Sequence, residues 1–393
     1  MADIYKQQDL TPEQIELILS TVPILEQAGE TLTAKFYNRM LTNYDEVKPF
    51  FNETDQKLLR QPKILAFALL NYAKNIKDLT PLIGFVQQIV SKHVGLQVKP
   101  EHYPIVGTCL IETMVEILPK EIATSEFIES WSIAYGNLAA LLIELEAKEF
   151  GKNPWQGFKN FKVTRIEPEC EDVESVYFTP EDGSKLPEVK PGQYVCIRWL
   201  LPDSKFEKSR EYSVSQVPKN NEFRISVRKL HGGLVSGYIH ESLKLGDILK
   251  VAPPCGNFTY KESENPMVLI AGGIGITPLI SIIETGLQNG RKIKLINCNR
   301  TTSTRPFTEF LVENLKKYPE NFHVFEYLSD EKKSSTIFSK VTNRQLELSD
   351  LDTITPNHDV YLLGPRPFMK EIKIYLEQKS IPVNLEYFGP LDV

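Results

Sequence analysis

The chain is poor in the residues that build disulfide or zinc frameworks. Its five cysteines, Cys109, Cys170, Cys196, Cys255 and Cys298, are widely spaced, odd in number and contain no CxxC pair. That pattern argues against a cysteine zinc site and for reduced thiols in a reducing compartment. No stretch reaches the roughly 20 apolar residues that a membrane span requires. The opening MADIYKQQDL lacks an apolar signal core, so neither stable membrane insertion nor export is expected and the cytoplasm is the expected location. Positive charge is not in surplus: the net charge is -6 at pH 7, which disfavours nucleic acid and acidic membranes as partners. Internal repeats and low-complexity tracts are missing. Histidine is scarce, and of the six only His93 and His102 fall in the first 150 residues.

What is present suits a globular protein. Apolar residues make up 41% and charged residues 24% of 393 positions, enough for two or three ordinary cores. No protein partner is indicated, and a monomer is admissible.

Residues 1–150 read as all helical. Thr11-Pro12-Glu13-Gln14 supplies a capping residue, proline at the first helical position and glutamine three residues after the cap. Leu32, Phe36 and Met40 mark one helical face, Ile64, Leu65, Ala68, Leu69 and Tyr72 a second, and Leu82, Val86, Ile89 and Val90 a third that ends at His93. Two longer helical runs follow, over about 101–118 and 125–150. The texture changes at the Gly/Pro-rich linker Gly151–Gly157. From there to residue 262, short alternating segments at 161–163, 175–178, 194–199 and 223–227 describe a small antiparallel β-barrel. Residues 263–393 change again. Apolar strands at 267–271, 294–298, 323–327 and 359–363, with helical patterns between the first two and after the last, describe an α/β domain with a mainly parallel sheet.

The chemistry-bearing residues cluster by domain. On spacing alone His93 is a lone histidine on an apolar helical face, more often a core residue than a ligand, and His102 reads as a helix-start surface residue. Gly272-Gly273-Ile274-Gly275-Ile276-Thr277-Pro278 lies between an apolar strand and a helix, the context of a nucleotide-binding loop, although it is not GxGxxG. After the second strand of that domain stands Arg300, with no acidic residue beside it to grip two ribose hydroxyls. A surface arginine and a 2'-phosphate ligand are both open there.

Residues 1–150 resemble the globin domain of the flavohaemoglobins, through Leu32-Thr-Ala-Lys-Phe-Tyr-Asn-Arg-Met40, Phe51-Asn52, Lys92-His93, Lys99-Pro-Glu-His-Tyr-Pro-Ile-Val-Gly107, Trp131 and Glu146. The resemblance implies haem b, with His93 as the metal ligand and Glu146 and Tyr103 behind it. It implies Tyr37, Gln61 and Leu65 on the distal side and Phe51 against the haem face. A phenol donating to dioxygen, which carries partial negative charge at iron, is worth roughly 1.5–3 kcal/mol.

The rest of the chain resembles the ferredoxin–NADP reductase superfamily, and the flavohaemoglobin reductase most closely. Arg210-Glu211-Tyr212-Ser213, preceded by Pro191-Gly-Gln-Tyr194, implies an FAD site. In it Arg210 meets the pyrophosphate, Tyr212 lies on the isoalloxazine, Ser213 hydrogen-bonds the ring and Tyr194 packs near the adenine end. Gly232-Gly233-Leu234-Val235-Ser236 implies a second phosphate-binding turn. The glycine loop at 272–278 is implied to serve the nicotinamide nucleotide, and Arg300 leaves the choice between NADH and NADPH open. Glu386-Tyr-Phe388-Gly-Pro390 implies a terminal motif, with Phe388 over the flavin and Glu386 near its edge toward the haem. Leu363-Gly-Pro365 departs from the superfamily's Cys-Gly-Pro, so no catalytic cysteine is expected there. Hydride transfer needs alignment rather than a thiol.

Together these imply a nitric oxide dioxygenase that takes electrons from NAD(P)H through FAD to haem and converts nitric oxide and O2 to nitrate. The alternatives are a haem-dependent hydroperoxide or nitrite reductase, a sensor of oxygen or nitric oxide, or a reductase with a haem-free globin.

Overall fold

The computed structural model describes residues 5–51, 60–202, 204–332, 337–386 and 388, apart from the side chains of Ala28, Arg60, Gln61 and Pro62. The chain forms two compact units. One holds the residues up to Gly157 together with Arg198–Ser209, and the other holds Phe158–Ile197 and Arg210–Phe388.

The first unit is helical. Its helices are α1 (Pro12–Ser20), α2 (Val22–Asn43), α3 (Arg60–Lys74), α4 (Ile83–Leu96), α5 (Tyr103–Ile117) and α6 (Ser125–Phe150). Helix α1 starts with the expected capping box, the Thr11 hydroxyl accepting from Gln14 N and the Gln14 side chain accepting from Thr11 N. The predicted faces become the core. Leu32, Phe36, Met40, Leu69, Tyr72, Val86, Val90, Trp131 and Leu142 are all buried in one cluster. Helix α4 stops where Gln97 turns left-handed, at φ 61°. That ending leaves His93 in the last turn and brings the chain round to Tyr103, the first residue of α5.

The chain beyond Phe158 contains two six-stranded sheets. In the first, β1 (Lys159–Cys170), β2 (Val173–Pro180), β3 (Tyr194–Trp199), β4 (Lys208–Ser213), β5 (Phe223–Arg228) and β6 (Ile248–Val251) run in the order β4-β3-β6-β1-β2-β5. The β1–β2, β1–β6 and β2–β5 pairs are antiparallel. Just past β4 the Ser215 amide donates to Arg224 O in β5, which curls the sheet toward the expected barrel. Phe161, Phe178 and Phe223 meet inside it at ring separations of 5.5–5.8 Å. A helix, α7 (Leu234–Glu241), is inserted between β5 and β6.

The second sheet has β7 (Met267–Gly272), β8 (Ile293–Asn299), β9 (Phe322–Leu328), β10 (Lys340–Thr342), β11 (Asp359–Leu363) and β12 (Val383–Leu385), all parallel, in the order β10-β9-β8-β7-β11-β12. Helices α8 (Thr277–Gln288) and α9 (Thr308–Lys317) cover one face and α10 (Arg366–Gln378) the other. Strand β7 is buried at every position, as a strand covered on both faces must be. The short strands β10 and β12 were not visible as separate apolar runs. Strand order reverses between β7 and β11, and an open parallel sheet binds ligands outside the carboxyl ends of the strands at that reversal.

Candidate functional site

Helices α4, α5 and α6 bring three expected residues together. The His93 Nδ1 lies 2.7 Å from Glu146 Oε1 and 3.1 Å from the Tyr103 hydroxyl, and that hydroxyl donates to the same carboxylate oxygen at 2.6 Å. Glu146 is 2% exposed, so this is a buried carboxylate with two donors and not a solvated helix residue. Burial, and then the neighbouring carboxylate, push the Tyr103 phenol far above its ordinary value. The phenol therefore stays protonated as a donor. Tyr135, missed in the sequence, fixes the same corner by donating to Tyr103 O at 2.7 Å. Its only signal was its place on the apolar face of α6.

The expected distal residues lie at the edge of the same core. Tyr37 packs edge-on against Phe51 at 5.5 Å and against Phe36 at 5.0 Å. Tyr37, Phe51 and Leu65 are partly covered by protein, and the His93 side chain is 31% exposed. Half-buried apolar side chains and an engaged imidazole left partly bare are what a flat apolar group would cover. Burial of the Tyr37 phenol raises its pKa, and among the described residues its hydroxyl has no hydrogen-bond partner. The Gln61 side chain lies outside the described residues. His102 is half-buried rather than a surface residue. Its ring packs tilted against Phe50 at 4.7 Å and its Nδ1 accepts from Lys99 N.

In the second unit Arg210, Glu211, Tyr212 and Ser213 lie on β4, half-buried except for Ser213, which is buried. Burial raises the Tyr212 phenol. Burial also raises the Tyr194 phenol, with smaller contributions from Cys255, Glu211 and Glu386 nearby. A side chain on Gly256 would stand 2.8 Å from the Tyr194 ring and 3.9 Å from Glu386 Oε2, so these groups share one corner. The 232–236 turn forms as expected. Gly232 has φ +68°, Gly233 caps α7, and the Ser236 hydroxyl accepts from Leu230 N. Leu234 opens α7 exposed and Val235 is buried behind it. An open cleft of about 640 Å³ lies along this turn, with Glu171 and Asp172 also in its lining.

The glycine loop sits at the strand-order reversal. Gly272 ends β7, and 273–276 form a 3-10 turn that leads into Thr277 and Pro278 of α8. Gly364 and Pro365 follow β11, on the other side of the reversal. The two turns touch through backbone. A Cβ on Gly275 would lie 2.6 Å from Leu363 O, and one on Gly364 would lie 3.1 Å from Gly272 Cα. Only glycine permits that approach, which packs the two turns together at the point where a doubly wound sheet takes its ligand. Buried Leu363 holds the position expected for a cysteine. Phe388 is 47% exposed, while Tyr387, Gly389 and Pro390 lie outside the described residues. Arg300 stands directly after β8, but Asp172 from the first sheet faces it at 3.5 Å, so the acidic residue missing from its own segment comes from elsewhere. Among the described residues no helix is long and apolar enough to cross a membrane, and none of the five cysteines is in a disulfide.

Residues 34–142 match the globin family, residues 160–260 the oxidoreductase FAD-binding domain and residues 269–373 the oxidoreductase NAD-binding domain. A flavohemoprotein of Candida albicans is 63% identical over 393 residues, covering 99% of each chain. A crystal structure of a flavohemoglobin from Malassezia yamatoensis, with bound FAD and haem, superposes with a TM-score of 0.85 at 25% identity, covering 97% of this chain and 100% of that one. The FAD/NAD-binding domain of a nitric oxide dioxygenase from Vibrio cholerae gives a TM-score of 0.54 at 28% identity, over 60% of this chain and 100% of that one. The likeness spans all three domains in order, and the chain belongs to the flavohaemoprotein family, oxidoreductases that work with haem, FAD and a nicotinamide nucleotide.

Proposed function

We propose that the chain is a nitric oxide dioxygenase, joining nitric oxide, dioxygen and one electron into nitrate. One NAD(P)H then serves two nitric oxide molecules. The observation that carries this reading is the His93–Glu146–Tyr103 cluster, found in one chain with a complete flavin and nicotinamide reductase. The relative from Vibrio cholerae that bears the same activity in its name supports it.

When bound, haem supplies a site for dioxygen activation, and FAD converts a two-electron donor into single-electron delivery. His93 would hold the iron through Nε2, because Nδ1 is committed to Glu146. A buried carboxylate on Nδ1 fixes the tautomer, orients the ring and strengthens the opposite nitrogen as a donor. The Tyr37 phenol, kept protonated, would donate to the substrate dioxygen, with Gln61 assigned beside it. Leu65 and Phe51 would narrow the space around the reacting gases and keep water out. Arg210 would neutralise the flavin pyrophosphate together with the backbone amides of Leu234, Val235 and Ser236, which the Gly232-Gly233 turn presents. Tyr212 and Ser213 would hold the isoalloxazine. Since Tyr194 shares a corner with Glu211 and Glu386, we assign it to the ring end of the flavin instead of the adenine end. The 272–278 turn would take the nicotinamide nucleotide, and Phe388 would cover the flavin until it enters.

Purified protein carrying its cofactors, given NADH, nitric oxide and O2, is expected to form nitrate in step with NADH consumption. Faster turnover of a hydroperoxide or nitrite than of nitric oxide would overturn the reading.

A further inference from the structure

We propose that Asp172 selects the nicotinamide nucleotide, by holding Arg300 away from a 2'-phosphate and ringing the adenosine ribose with negative charge. The inference rests on the reading that the 272–278 turn binds that nucleotide.

Arg300 follows β8, the neighbour of β7. In a doubly wound sheet the adenosine ribose lies there, and an acidic residue takes its hydroxyls or an arginine takes a 2'-phosphate. The segment after β8 offers only the arginine. The acid comes instead from the β1–β2 turn. The Asp172 Oδ2 lies 3.1 Å from Arg228 Nε and 3.5 Å from an Arg300 Nη. Val173, the next residue, pairs with Arg228 across the sheet and Lys229 N donates to Asp172 O, which anchors the backbone of this turn, while the Cys170 thiol donates to the other carboxylate oxygen. Arg228 is anchored in turn: its Nη2 donates to Thr304 O at 2.7 Å, and its Nη1 lies 2.6 Å from where a Gly273 Cβ would be. One carboxylate is therefore shared by two guanidiniums at the edge of the glycine turn.

Further acids line the loop after Arg300. Glu331 accepts from Thr302 N and Oγ1 at 2.7 and 2.6 Å. Glu171 accepts from Ser303 Oγ at 2.7 Å. The Asp330 amide donates to Arg300 O, which puts a fourth acidic residue beside the same turn. Against them stand Arg228, Arg300 and Lys332, with Arg305 close enough to Glu331 to favour its charge but itself paired with Glu326. A phosphate monoester carrying close to two negative charges must displace Asp172 from Arg300 and settle among these carboxylates. A ribose hydroxyl meets the threonine-rich turn without that conflict. Discrimination of this kind is built from repulsion as much as from attraction.

The test uses the protein with FAD and haem bound and reads the second-order rate constant for anaerobic flavin bleaching by NADH and by NADPH. The unaltered protein is expected to favour NADH. Asp172→Asn keeps the size of the side chain, removes the charge, and should narrow the NADH-to-NADPH ratio by about tenfold or more, the scale of one like-charge contact. Adding Arg300→Ala to that variant should reverse the gain in NADPH use, while Asp172→Glu should keep the original ratio. Glu331→Gln, on a separate wall, should narrow the ratio by a smaller factor and serves if Asp172→Asn does not fold. A preference for NADPH in the unaltered protein, an unchanged ratio in these variants, or reversal by Lys332→Ala instead of Arg300→Ala would overturn the inference. No bleaching by NADH at all would sink the nucleotide-loop reading itself, and the inference with it.

Discussion

Tyr37→Phe deletes one hydroxyl and little else. The ring keeps its edge-on contacts with Phe36 and Phe51. Among the described residues the hydroxyl has no protein partner to lose, so stability should change by no more than about 0.5 kcal/mol. Its value should appear only with dioxygen bound. Burial keeps the phenol protonated, and a hydrogen bond to an acceptor with ionic character is worth roughly 1.5–3 kcal/mol. At about 1.4 kcal/mol per factor of ten, dioxygen should leave the reduced variant about ten to a hundred times faster. Stopped-flow displacement of dioxygen by carbon monoxide, followed at the Soret band, measures this directly. An unchanged release rate would refute the assignment of Tyr37. A large fall in melting temperature would show that the hydroxyl serves the fold.

Glu146→Gln should retain haem absorption but lower nitric oxide turnover by about 10- to 100-fold, because the imidazole loses its anionic partner; a weakened iron–histidine stretch in resonance Raman spectra would confirm the cause. Glu326→Leu should cost about 3–5 kcal/mol by leaving a buried cation unpaired, since Glu326 is 0% exposed and Arg305, 2.7 Å away, is 7% exposed; urea unfolding reads the loss, and a midpoint unchanged from the parent would count against it. Acid should weaken the fold through Asp350, whose carboxyl is lowered from 3.8 to about 2, first by its hydrogen bonds to Arg344. A depressed folded-state value gives stability that is complete above pH 3.8 and lost as pH falls toward about 2. Asp350→Asn should therefore melt lower than the parent at pH 5, with the gap closing only as pH falls through about 2; a constant gap would contradict this.

The elements with strong periodicity were legible in the sequence. The strands at 194–199 and 359–363 and the helix over 125–150 have the structure's own limits or nearly so, because uninterrupted alternation or a full apolar stripe leaves little choice. Strand β1 was read only at 161–163 although it runs over Lys159–Cys170. Its bulges, at 163–165 and 168–170, break the alternation that the eye follows. Strand β12 is three residues of half-buried edge, too short and too polar to announce itself. At the sites, each motif was visible as a local string, but groups joined across distant segments were not. Asp172 and Arg300, Arg305 and Glu326, and Tyr135 and Tyr103 meet only once the fold exists. Glu146 is the sharpest case. Its helix position allowed a solvated residue, resemblance pointed to the histidine, and packing of α4 against α6 withdrew it from water.

The central claim is that electrons enter at the flavin and leave through an iron held by His93. Anaerobic stopped-flow mixing of the cofactor-loaded protein with NADH, with flavin and haem bands recorded separately, tests it most directly. The flavin band should bleach first and the ferrous haem band should grow in afterwards at a matching yield, while His93→Ala should still bleach flavin but show no such haem signal. Flavin that bleaches in the unaltered protein while its ferric band stays fixed would contradict the account.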